Sequence, residues 1–139
     1  MRARNIKPGF FKNEQLSECS FEARLLFPGL WMLADRSGRM EYRPKRIKAE
    51  IFPFDNMDVV ALVAELEKNG LVVVYEANSV KYLWIPGFLK HQVPHHKEKQ
   101  SVIPPHPRDI DPGQDQGEPT VDPGQDQGEP TVDPGQDQG

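Results

Sequence analysis

The chain has 139 residues, of which 37% are apolar, 11 are Gly and 14 are Pro; this is the size of one ordinary domain, with an apolar share below the roughly 45–50% usual for globular chains. The formal net charge of −4 hides two opposite parts: all 17 Lys and Arg lie at or before Arg108, against 12 acids in that span, which leaves +5 there and −9 beyond it. A lone Cys19 excludes an internal disulfide framework, the N-terminal MRARNIKPGFFKNEQ lacks the apolar segment of a signal peptide, and no apolar run is long enough to span a bilayer, so the expectation is a cytoplasmic protein with no membrane partner.

Residues 1–15 read as an irregular arm. FEARLLFPGLWMLAD (21–35) is apolar nearly all round, which suits a central helix buried on several sides. Ser20 stands where an N-cap belongs, and Pro28–Gly29 is expected to kink the helix or split it in two. Ser37–Gly38 reads as a turn and RMEY (39–42) as a short strand. A second helix is expected from Pro44 to about Phe52, opened by a proline in its first turn and turned inward through Ile47 and Ile51. PFDN (53–56) breaks it. A third helix runs from Met57 or Asp58 to Asn69, with Val59, Leu62, Val63 and Leu66 forming an i, i+3, i+4, i+7 core stripe and Gly70 as its cap. LVVVYE (71–76) and KYLWIP (81–86) are β-branched and aromatic, joined by the turn composition ANSV. Three helices followed by a two-stranded hairpin is the plan of a winged helix-turn-helix, an α+β, mainly α fold. Domain limits follow: 1–100 for the folded module with its arm, 101–110 as a linker, and 111–139 as a low-complexity tail. In that tail DPGQDQGEPTV (111–121) recurs at 122–132 and begins again at 133. Two Gly, two Pro and a single Val per repeat exclude a helix and a solenoid core, so a disordered acidic tract is expected.

The basic cluster carries the strongest functional signal. Arg36, Arg39, Arg43, Lys45, Arg46 and Lys48 place six cations within 13 residues, with only Glu41 inside the span, enough to neutralise several phosphates. Arg46 and Glu50 at i, i+4 supply the plainer alternative of a solvated helix face. The third helix turns Asp58, Glu65 and Glu67 outward by its periodicity, which repels phosphate. Either its N-terminal end alone enters a groove, through Asn56 and the helix dipole, or it faces a protein. Asn78, Ser79 and Lys81 on the hairpin, Arg2, Arg4, Lys7 and Lys12 on the arm, and Lys90 within KHQVPHHKEK (90–99) are further candidates for backbone contact. His91, His95, His96 and His106 with Cys19 lack the spacing of a zinc site, and neither P-loop, GxGxxG nor GxSxG is present. No catalytic residue, metal or cofactor is therefore assigned.

The run RLLFPGLWMLADRSGRMEYRPKRIKAEIFPFDNMDVVALVAELEKNGLVVVYE, continued by KYLWIPGFLKHQVPHHKEKQSVIPP, resembles the N-terminal winged-helix domain of phage and prophage replication proteins of the replisome-organiser, DnaD-like kind. The likeness covers residues 1–105 and departs at Pro28, where an apolar helix former is usual. It implies a DNA-binding module acting in replication initiation within a bacterial host. Family members usually follow this module with a second domain that engages the host helicase system, a position the repeat takes here. The expected function is thus duplex-DNA binding through Arg36, Arg39, Arg43, Lys45, Arg46, Lys48, Asn56, Asn78, Lys81 and Lys90. A protein-interaction adaptor on the same fold, using the acidic third helix and binding a replication protein, and a transcriptional regulator are the alternatives. A second copy of the chain as a partner is left open.

Overall fold

The computed structural model describes residues 1–109, and Met1–His106 forms one compact unit. The repeat tail lies outside the described residues. Among those described, the protein is α+β and mainly helical, with five helices and one three-stranded antiparallel sheet. No helix among them is long and apolar enough to cross a membrane.

The arm is more structured than its composition suggests. A 3-10 turn (Pro8–Lys12) leads into α1 (Glu14–Ser17), where the Asn13 side chain accepts the N–H of Leu16 at 3.0 Å. Phe10 sets its ring edge-on to Trp31, 5.6 Å between centroids. α2 (Phe21–Leu33) starts where Ser20 predicts, with the Ser20 hydroxyl accepting the N–H of Ala23. It runs unbroken through Pro28–Gly29, so the expected split does not occur. Pro28 is buried with its neighbours Phe27, Gly29 and Leu30, and packing on both sides offsets the hydrogen bond that proline cannot donate. Gly29 has a packing role: a Cβ there would meet the Ile51 side chain at 2.7 Å, so only glycine lets α2 and α3 approach this closely. Phe21 and Leu25, expected inside, are 78% and 62% exposed; the buried face of α2 is Ala23, Leu26, Phe27, Leu30 and Trp31.

β1 (Arg39–Glu41) follows a tight loop in which Asp35 Oδ1 accepts the N–H groups of Ser37 and Arg39. α3 (Pro44–Ile51) buries Ile47, and α4 (Val59–Lys68) buries Val59, Val63 and Leu66, as the periodicity predicts. β2 (Val73–Ala77) and β3 (Val80–Trp84) form the hairpin, turning at Asn78 (φ 53°) and Ser79 (φ 65°), a two-residue left-handed turn whose twist matches the strands. The sheet order is β1-β3-β2, so β1 pairs with the second strand of the hairpin, Met40 opposite Leu83 and Arg39 opposite Trp84. α5 (Phe88–His91) buries Phe88.

Alternation along the strands turns Met40 and Leu83 into the core and sets Arg39, Tyr75, Tyr82 and Trp84 on the opposite face. The segment 101–106, expected as a linker, crosses this face. Ser101 Oγ donates to Asp35 Oδ2 at 2.5 Å, Arg39 donates to the Ile103 carbonyl at 3.2 Å, and the Tyr75 hydroxyl donates to the Pro104 carbonyl at 2.7 Å. His106 stacks on Trp84 at 5.3 Å. The folded unit therefore extends to His106 rather than to residue 100.

Candidate nucleic-acid interface

The ten residues marked by the sequence fall into three groups. Arg43, Lys45 and Arg46 form the first. They open α3, are all solvent-accessible, and project from a helix whose Ile47 faces the core. Lys48, on the same helix, is half-buried. Arg43 lies 3.8 Å from Glu41, with both side chains more than half exposed, a pairing worth little in water. Arg43 and Arg46 border a groove of about 510 Å³ whose lining mixes charges of both signs, Arg2, Asp35, Glu41 and Glu50 among them, with apolar Leu33, Met40 and Ile47.

The second group joins α3 from other elements. The Tyr42 N–H donates to the Lys81 carbonyl at 2.9 Å, which seats exposed Lys81 of the hairpin beside the residue preceding Arg43. Asn78 is exposed at the hairpin turn, and Asn56 is exposed in the connection between α3 and α4. Tyr42 sits among these groups and was not singled out by the sequence. Burial pushes its phenol above the ordinary value, with the carboxylates of Glu67 and Asp58 adding to the effect. It remains a protonated O–H donor, close to both ends of α4. The only sequence signal for it is its place between the strand and the first cation of α3.

The third group corrects the sequence reading. Arg39 is 1% exposed and is held by the Ile103 carbonyl; it is part of the core beneath the 101–106 segment, not a phosphate ligand. Sequence patterning places a lone Arg on the surface by default, and the carbonyl supplied by a segment 64 residues away helps to make its burial tolerable. Arg36 is half-buried and donates to the Glu98 carbonyl at 3.0 Å. Lys90 is exposed on α5, where Arg4 lies over the Phe88 ring at 5.1 Å, so it groups with the arm rather than with α3. His91 beside it is held below the ordinary imidazole value by partial desolvation, then by Lys7 and Lys90. The arm itself is not a free basic strand. Arg4 makes a two-toothed ion pair with Glu98, at 3.1 and 2.9 Å, and also donates to the carbonyls of Trp31 and Ala34. Arg2 adds a further ion pair to Glu98 at 3.1 Å. The Gln92 amide exchanges two hydrogen bonds with the Asn5 backbone.

α4 is corrected as well. Glu65, expected outward, accepts the backbone N–H and the hydroxyl of Ser20, tying α4 to the start of α2. Glu67 accepts the N–H of Val74 at 2.9 Å. Asp58 caps its own helix by accepting the N–H of Ala61 at 3.1 Å. These carboxylates each serve the fold, and Asp58 and Glu67 at the same time stay solvent-exposed on α4.

No family model, curated protein or solved structure matches the chain.

Proposed function

We propose that Met1–His106 is a winged helix-turn-helix module that binds duplex DNA. α2, α3 and α4 are its three helices, the 52–58 connection is the turn of the helix-turn-helix, and β2–β3 is the wing. The order helix, strand, helix, helix, hairpin and the sheet order β1-β3-β2 support this assignment. The observation that carries the function is the set of solvent-accessible cations Arg43, Lys45 and Arg46 opening α3, with the Lys81 backbone of the wing bonded to Tyr42 just before them. α3 anchors phosphates through Arg43, Lys45 and Arg46. α4 faces the groove, and Asn78 and Lys81 follow the backbone alongside. A role in replication initiation of phage or prophage type rests on the sequence resemblance, since fold alone does not separate replication from transcription.

The test is Lys45→Glu/Arg46→Glu. Both side chains are solvent-accessible, so the melting temperature stays that of the parent. Affinity for duplex DNA falls alike on all sequences, and the slope of log K against log salt becomes shallower by about 0.9 for each phosphate no longer neutralised. Unchanged affinity in a well-folded double variant refutes the assignment.

A further inference from the structure

The arm and α5 build a second basic surface. Two hydrogen bonds fasten them together: the Asn5 N–H donates to Gln92 Oε1 at 2.9 Å, and Gln92 Nε2 donates to the Asn5 carbonyl at 2.8 Å, with Gln92 itself only 4% exposed. Arg4, one residue before, lies over the Phe88 ring. Ile6 and Lys7 leave this joint on one chain, and Leu89, Lys90, His91 and Val93 surround it on the other. The charges of Lys7 and Lys90 both act on His91, and among the described residues no carboxylate offsets them there. Residues 1–13 and 77–97 contain neither Asp nor Glu. Glu98, just beyond, is buried and taken up by Arg2 and Arg4. Lys7 and Lys90 are exposed, and so are three apolar side chains between and beside them: Ile6 at 49%, Leu89 at 40% and Val93 at 86%.

We propose that Ile6, Lys7, Leu89, Lys90 and Val93 form a docking surface for an acidic peptide of a partner protein, one in which carboxylates alternate with apolar side chains. This goes beyond the DNA-binding reading and does not depend on it. Charge and apolar content choose the occupant together. Lysines without neighbouring acids call for an anion, and the exposed Ile6, Leu89 and Val93 call for apolar groups next to it. A phosphate backbone supplies the charge without apolar side chains. An anionic membrane is held by clusters of about four to eight Lys or Arg, more than Lys7 and Lys90 provide. A peptide of alternating acidic and apolar residues meets both demands over the short span of this surface.

The experiment measures binding of the full chain, by fluorescence anisotropy, to a labelled peptide of alternating Asp and Leu, beside the same peptide with Asn for Asp and with Ser for Leu. The Asp–Leu peptide binds tightest, and its affinity falls with salt. Lys7→Glu/Lys90→Glu lies at exposed positions that leave the melting temperature unchanged; each reversal turns an attraction into a repulsion, and affinity drops by about tenfold or more. Lys45→Glu/Arg46→Glu, the pair that tests DNA binding, leaves peptide affinity within about twofold of the parent. Val93→Ser weakens binding of the Asp–Leu peptide and leaves that of the Ser peptide unchanged. Equal binding of the Asp and Asn peptides overturns the proposal, as does loss of binding through the α3 pair with Lys7→Glu/Lys90→Glu unaffected. Binding to phosphatidylserine vesicles without peptide binding, or no peptide binding at all, overturns it too. None of these outcomes bears on duplex DNA, whose affinity is measured separately.

Discussion

Substitution of Glu98 by Gln tests how the chain ends are fastened to the module. The Arg4 and Glu98 side chains are 4% and 6% exposed and meet at 2.9 Å, while the Glu98 backbone carbonyl also receives Arg36. Removing one member of a buried, hydrogen-bonded ion pair costs about 3–5 kcal/mol, because the remaining charge stays buried without its counter-ion. Arg4 retains the carbonyls of Trp31 and Ala34, which places Glu98→Gln at the lower end, about 3 kcal/mol. For a domain of this size that corresponds to a fall in Tm of about 12 °C or more. Arg2→Ala is the control: its side chain is 47% exposed, and its removal costs under about 1 kcal/mol. The same pair sets a pH dependence. Hydrogen bonds from Arg4, and then the charges of Arg4, Arg2 and Arg36, hold the Glu98 carboxyl below its ordinary value against the opposing effect of burial. The folded state thus binds this proton less readily than the unfolded chain. Its contribution is fully present above the unfolded carboxyl value of about 4.3 and is lost as pH falls through the lower folded value. Urea titrations followed by tryptophan fluorescence should show a constant gap between parent and Glu98→Gln from neutral pH down to about pH 5, closing in more acid solution. A gap below about 0.5 kcal/mol at pH 7 refutes the clamp, since even a modest buried pair exceeds it.

Two further outcomes follow from the packing. Gly38 has φ +79°, and a Cβ there would lie 2.6 Å from Phe88 Cβ, so Gly38→Ala should cost at least about 2 kcal/mol from backbone strain and overpacking together; denaturation within about 0.5 kcal/mol of the parent contradicts that geometry. A chain ending at His106 should melt like the full chain, whereas one ending at Gln100 loses the partners of Asp35, Arg39 and Tyr75 and should melt well below it; equal melting of the two shortened chains would show that the segment contributes nothing.

The elements whose sequence carries periodic apolar residues were legible. Ile47 and Ile51 on α3, the stripe on α4, the Ser20 cap and the Asn78–Ser79 turn all lie where local chemistry puts them. What local chemistry cannot show is which polar side chain meets a distant backbone group. Glu65 finds Ser20 and Arg39 finds Ile103, 45 and 64 residues away. The same holds for SVIPPH (101–106): two prolines and no periodicity read as a linker, yet its carbonyls accept from Arg39 and Tyr75. The cations of α3 were legible as surface charge. Their union with Lys81 depends on the pairing of β3 with β1, which a linear pattern does not display.

The proposed DNA-contacting surface joins α3, the start of α4 and the wing. Its most direct measurement is a backbone amide NMR titration of the chain with duplex DNA at low and moderate salt. Shifts should concentrate at Tyr42–Lys48, Asn56–Ala64 and Asn78–Lys81, while the Arg4–Glu98 clamp and the Arg39 amide stay still. Shifts centred on the arm and Lys90, with α3 unmoved, would contradict it.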